Sequence, residues 1–194
     1  MPPLVILIGD SIRMGYQEVV RRELTAREPA AEVWAPEENG GNSRNVLAHL
    51  DEWVISRQPQ VVHLNCGLHD LRKEFDQEQA AVPIEEYATN VRQILTRLRE
   101  QTDATLLWAA TTPVNQAWHH ATKGFDRFEE DVRAYNQVAT TIATELVIPV
   151  SDLYSTVMQA GRDDHLRPDG VHYHPAGYEL LGQAVARTIA AYLD

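Results

Sequence analysis

The chain holds a single cysteine, Cys66, so no internal disulfide can form and no multi-cysteine zinc site can be built. A lone thiol suits a reducing compartment, and the expected location is cytoplasmic. Long apolar runs are also missing: nothing approaches the roughly 20 residues of a membrane span, and no membrane partner is expected. The N-terminal run in MPPLVILIGDS lacks a basic leader and a small-residue cleavage site, and it ends in an acidic turn. That pattern predicts a first strand rather than a signal peptide. Positive charge is scarce. Seventeen Lys and Arg against 28 Asp and Glu leave a formal net charge of −11, which repels phosphate backbones and anionic surfaces, so nucleic acid is not an expected partner. A neutral small molecule is the expected ligand, and no feature of the chain specifies an oligomeric state.

What is present reads as one globular unit. At 194 residues, 44% hydrophobic and 23% charged, the chain can bury a sizeable core, and it shows no repeat, linker or low-complexity tract, so residues 1–194 are expected to form a single domain. Five apolar, β-branched runs alternate with stretches of helical period, which predicts an α/β fold with a parallel sheet covered on both faces. The runs are LVILI (4–8), AEVWA around Val33, QVVHLNC, ATLLWAA (104–110) and VIPVSD. Helices are expected over 12–27, from a Ser43 N-cap through Val54, over 84–100, over 127–145, and after Pro175. In such a sheet, ligands bind where the strands end. The polar segments GDS (9–11), NGGNS (39–43), GLHD (67–70) and RPDGVHYHPAGY (167–178) are therefore expected to converge.

Two segments carry residues suited to nucleophilic chemistry. Ser11 follows a buried strand at a helix start, where a hydroxyl oxygen is exposed beside the positive end of the helix. A turn and helix cap would use the same Gly-Asp-Ser. Asp169 and His172 stand three positions apart in a loop rich in turn formers. A serine nucleophile needs a base, and the base needs a carboxylate to fix its tautomer, so this pair can supply both; a turn-capping Asp and a surface His would look alike. Gly41 could offer an unobstructed backbone N–H to an oxyanion, a contribution worth on the order of 3 kcal/mol per donor.

Together, LIGDSIRMGY, GGNS, NCGLHDLR and RPDGVHYHPAGY occur in the order and spacing of the four blocks of the SGNH hydrolases, or GDSL esterases and lipases, and the chain resembles that family over nearly its whole length. The resemblance implies a flavodoxin-like three-layer α/β/α sandwich on a five-stranded parallel sheet. It also implies hydrolysis of carboxylic esters without metal or other cofactor, with Ser11 as nucleophile, His172 as base and Asp169 as acid. The oxyanion hole would comprise the Ser11 N–H, Gly41 (or Gly40, since the doubled glycine loosens the match by one) and the third-block side chain. That block departs from the family pattern: where Gly-x-Asn-Asp is usual, the chain has Gly67-Leu68-His69-Asp70, so His69 takes the asparagine's place. A neutral imidazole protonated on Nδ1 can present an N–H at a similar reach, provided something holds that tautomer. The first block continues with Ile12 and Arg13, and Arg13 would face either the cleft or solvent.

The expected activity is a serine ester hydrolase acting on short-chain carboxylic esters, including O-acetyl groups of carbohydrates, through an acyl-enzyme. Arg44, next to the glycine loop, and Trp118, beside His119 and His120, are candidates for substrate binding. Two other readings stand beside this one. The first is a noncatalytic or weakly active binding protein on the same fold, because of His69. The second is a metal-dependent transferase or hydrolase using Asp163–His165 or His172–His174. His63 and Cys66 are read as core residues.

Overall fold

The computed structural model describes residues 2–193. Seven strands run in chain order as β1 (Leu4–Ile8), β2 (Glu32–Trp34), β3 (Val61–Leu64), β4 (Lys73–Glu74), β5 (Thr105–Ala109), β6 (Phe125–Asp126) and β7 (Val150–Ser151). The helices are α1 (Ser11–Thr25), α2 (Ser43–Ala48), α3 (Leu50–Trp53), α4 (Ile84–Gln101), α5 (Gln116–Thr122), α6 (Glu129–Glu145), α7 (Leu153–Ala160), α8 (Arg162–His165) and α9 (Pro175–Ala190). Five strands form a parallel sheet in the order β2-β1-β3-β5-β7. This is the flavodoxin-like order, and its central strands are apolar because helices cover both faces. Val5 to Ile8, Val61, Val62, Leu64 and Leu106 to Ala109 are all buried in one hydrophobic cluster. Of the helices, α1 packs on α9 and α9 on α7, while α2 packs on α4 and α4 on α6. These sets are the two outer layers of a three-layer α/β/α sandwich.

Local chemistry sets the ends of these elements. Asp10 caps α1, its Oδ1 accepting from the Ile12 N–H at 2.9 Å. Pro175 opens α9 at a position that needs no N–H. The helix expected from a Ser43 cap through Val54 is instead broken at His49, whose backbone leaves the helical region and whose Nδ1 lies 2.8 Å from the Asn45 carbonyl oxygen. Its cap is Asn42, which accepts from the Asn45 N–H at 3.1 Å, because the Ser43 hydroxyl is engaged elsewhere. The fifth strand shrinks to Val150–Ser151, since Pro149 has no N–H to donate and pairs only through its carbonyl, which accepts from Trp108 at 3.0 Å. Beyond the expected elements, Asp152 caps α7 and Asn115 caps α5. The two-residue strands β4 and β6 pair antiparallel over the loop that follows β3. Among the described residues, no helix is long and apolar enough to cross a membrane.

Candidate active site

The carboxyl edge of the sheet brings the four polar segments together. Gly40 donates its N–H to the Gly9 carbonyl at 3.0 Å. A Cβ on Gly40 would sit 2.7 Å from that oxygen, so only glycine lets the second loop approach the end of β1 this closely. Gly41 follows with φ +63, a left-handed conformation that glycine adopts without penalty. The second loop is bolted to the third through Asp70, whose two carboxylate oxygens accept the Ser43 N–H at 2.9 and 3.1 Å. Asn90 of α4 donates to the Ser43 hydroxyl at 3.0 Å. Arg13 faces neither the cleft nor solvent: it is buried beneath the second loop, where its Nη2 donates to the Glu38 carbonyl at 2.7 Å.

Ser11, at the first position of α1, has its Oγ 2.9 Å from Nε2 of His172. On the other side of that ring, Nδ1 lies 2.6 Å from Asp169 Oδ2. The Asp169 Oδ1 accepts from the backbone N–H groups of Val171 (3.1 Å) and His172 (2.9 Å), so the turn itself orients the carboxylate. Burial works against the charge of Asp169, but the bonds from the His172 ring and the two amides outweigh it and hold the carboxyl well below the usual range. The carboxylate therefore stays ionised and fixes His172 with its Nδ1 proton, leaving the Nε2 lone pair toward Ser11. Lys123, at the end of α5, places its Nζ 3.3 Å from Asp169 Oδ2. All three members of the chain are half-buried and reachable from solvent.

Three donors were expected for the oxyanion, and each has a different setting. The Ser11 N–H, in the first turn of α1, has no intrahelical acceptor. His69 is half-buried next to Asp10, Arg127, Arg72 and His172, and among the described residues its ring has no hydrogen-bond partner to hold a tautomer. Burial, chiefly, lowers its proton affinity; Asp10 opposes this, and Arg127, Arg72 and His172 add to it. The Gly41 N–H is engaged, donating to Asn39 Oδ1 at 2.8 Å.

The two candidate substrate contacts fall at different places. Arg44 is held by Glu86 in a two-pronged pair of 2.5 and 2.6 Å and donates to the Ala81 carbonyl at 3.2 Å, none of which belongs to the Ser11–His172–Asp169 chain. Trp118 lines an open groove of about 440 Å³ with Thr122, Leu166, Pro168 and His174, alongside the loop that bears Asp169. Its neighbour His119 is fully buried, with its ring edge-on to Phe125 at 5.2 Å, and does not reach that groove.

His63 and Cys66 are buried in and just after β3, and burial pushes the His63 imidazole down to about 4. Among the described residues, no three His, Cys, Asp or Glu side chains group to hold a metal. Lys123 and Arg127 are the charged residues at this edge that the sequence motifs do not single out, because in the sequence neither stands at a diagnostic spacing from the motif residues.

The model of the GDSL-like Lipase/Acylhydrolase family matches residues 7–180. A GDSL esterase/lipase of Arabidopsis thaliana is 27% identical over 209 residues, covering 96% of this chain and 85% of that protein. Among solved structures, the lipase/acylhydrolase from Enterococcus faecalis superposes with a TM-score of 0.81 at 22% identity, covering 98% of this chain and 96% of that one. An acetylxylan esterase from Geobacillus stearothermophilus superposes with a TM-score of 0.76 at 20% identity, covering 96% and 94%.

Proposed function

Because the chain belongs to the GDSL-like lipase/acylhydrolase family and is a carboxylic ester hydrolase, we propose that it cleaves short-chain esters of polar alcohols, O-acetylated carbohydrates among them, through an acyl-enzyme on Ser11. The observation that carries this reading is the chain Ser11 Oγ–His172 Nε2–His172 Nδ1–Asp169 Oδ2, with links of 2.9 and 2.6 Å. Ser11 Oγ attacks the ester carbonyl carbon while His172 takes the hydroxyl proton at Nε2. The Asp169 carboxylate stabilises the resulting imidazolium. As the tetrahedral intermediate collapses, the C–O bond to the alcohol breaks and His172 returns the proton to the leaving oxygen. Water, deprotonated by the same His172, then attacks the acyl-serine; as this second tetrahedral intermediate collapses, the bond to Ser11 Oγ breaks, His172 returns the proton to that oxygen, and the acid leaves.

The negative oxygen is held by the Ser11 N–H at the head of α1, by His69 donating from a neutral ring, and by Gly41, whose N–H passes from Asn39 to the oxyanion. The preference for a sugar-borne acetyl group is supported by the likeness to the Geobacillus acetylxylan esterase and by the open Trp118 groove beside the catalytic loop. A cytoplasmic setting is part of this reading, in keeping with the buried lone thiol of Cys66.

A fluorophosphonate probe, together with p-nitrophenyl esters of increasing chain length and acetylated xylo-oligosaccharides, tests it. The wild-type chain is expected to label at Ser11 and to favour acetate. Ser11→Ala is expected to abolish labelling and lower kcat by at least about 10³-fold. A chain that never labels, or an alanine variant that retains turnover, would overturn the mechanism.

A further inference from the structure

The loop that carries His69 is held by a buried cation that, among the described residues, makes no ion pair at contact distance. Arg127, just before α6, is only 6% exposed. Its Nε donates to the Leu68 carbonyl at 2.6 Å, and its Nη1 lies 3.2 Å from His119 Nε2. Because Nη1 can only donate, His119 must accept at Nε2 and be neutral, and burial, followed by Arg127 and Lys123, pushes its imidazole down to about 4. The guanidinium also rests 5.0 Å from the centre of the Phe125 ring, on which Arg72 packs at 3.9 Å. Phe125 belongs to β6, which pairs with β4 beyond His69, so the hairpin and the cation together clip the loop.

Among the described residues, no carboxylate makes a contact ion pair with Arg127; Asp10 and Asp169 favour its charge from farther off, and Arg72 opposes it. Burying a guanidinium without a contact ion pair is costly, and a buried charge at the edge of a site is a candidate for a functional role. The Leu68 carbonyl is part of the peptide that leads into His69, so the bond at 2.6 Å orients the unit from which that side chain departs. The charged and titratable groups facing the His69 ring are Asp10 from the head of α1, Arg127, Arg72 and His172.

We propose that Arg127 is a positioning residue of the oxyanion site, clamping the Leu68–His69 peptide through the Leu68 carbonyl and setting a buried positive charge beside the His69 imidazole. This rests on the assignment of His69 as an oxyanion donor. A protonated His69 would stand as a cation near His172 and oppose proton abstraction from Ser11. With Arg127 in place, the His69 ring stays neutral to lower pH, so it donates a hydrogen bond without that opposition. Asparagine, which cannot ionise, needs no such guard.

The test is p-nitrophenyl acetate hydrolysis by the full chain from about pH 5 to about pH 9, for Arg127→Gln in the native and the His69→Asn backgrounds. In the native background Arg127→Gln is expected to lower kcat about 10- to 100-fold with KM within about threefold. It should also move the acid limb of kcat/KM to higher pH, because His69 then keeps a proton that Arg127 had helped to expel. In the His69→Asn background the fall in kcat should remain while the acid limb stays in place. An equal shift in both backgrounds would mean that Arg127 acts on His172 or Asp169 instead, and an unchanged kcat would remove the clamp; either result overturns the proposal. Should Arg127→Gln not fold, Arg127→Lys retains a cation but cannot hold Leu68 and His119 together, and it should lose kcat without moving the acid limb. Its failure to do so would equally overturn the proposal. His69→Ala separates the two assignments. Full activity there defeats His69 as a donor, whereas an impaired alanine variant with a silent Arg127→Gln defeats only the clamp.

Discussion

Asp70 joins two loops with one carboxylate, and burial makes that carboxylate expensive to ionise. It has no exposed surface, and burial pushes its carboxyl up to about 7, against the hydrogen bonds from Ser43, which pull it down. Well below the ordinary aspartate pKa of about 4, the folded and unfolded chains both hold the proton. As pH rises toward 7, the unfolded chain gives it up first, so the stability contributed by the neutral acid drains away through that window and then levels off. The loss is on the order of a few kcal/mol, at about 1.4 kcal/mol for each tenfold difference in proton affinity. Asp70→Asn keeps the shape and cannot titrate. The stability of wild type relative to this variant is expected to fall between about pH 4.5 and about pH 7.5, as measured by urea unfolding. A constant difference across that range would show that Asp70 is ionised throughout.

Residue by residue, the legibility of the site followed how local each signal was. Ser11 directly follows its strand, and Asp169 and His172 share one turn, so backbone proximity alone limits where their side chains can meet. The partners of Gly41, Arg44 and Arg127 are side chains and carbonyls that only the folded chain selects. Neither the capture of Gly41 by Asn39 nor the diversion of Arg44 to Glu86 has a spacing rule behind it.

Among the elements, α1 and α9 form the contact on which the site depends, because Ser11 starts one and His172 lies three residues before the start of the other. Their closeness is set by Gly182, where a Cβ would fall 2.4 Å from Val19 Cβ and 3.1 Å from the Tyr16 carbonyl. Gly182→Ala therefore forces the helices apart or bends Val19 off its rotamer, and it is expected to destabilise the fold by about 1–3 kcal/mol. Chemical denaturation reads that cost. A neutral or stabilising change, as a helical glycine-to-alanine exchange gives where space is free, would show that the layer yields without strain. Long elements were legible from their patterning: β1 and β3 are continuous apolar runs buried on both faces, and α4 and α9 each commit many buried side chains to one face. The break at His49 and the pairing of β4 with β6 were not, since two-residue strands have no period and the break depends on a ring nitrogen next to the Asn45 carbonyl.

At the scale of the molecule, the residues of the Ser11–His172 link lie 161 positions apart, and every strand of the main sheet except β1 lies between them in the chain. The described core is one cluster that includes β1, β3, β5, α1, α4, α6 and α9, with no second apolar centre to hold part of the sheet if the rest opens. Surface ion pairs such as Arg92–Glu145 and Arg97–Asp51 are exposed and contribute little, so cooperativity has to come from that core. Activity and fold should then be lost together. In a guanidinium titration, hydrolysis of p-nitrophenyl acetate and the fluorescence of the buried Trp53 and Trp108 are expected to share one midpoint. The loops at the sheet edge are held by specific bonds as well as by packing, so this expectation is a demanding one. If activity disappears at a lower denaturant concentration while the tryptophans remain buried, the Asp70 and Arg127 bonds open before the core does, and the active-site edge is a less stable unit resting on an intact sheet.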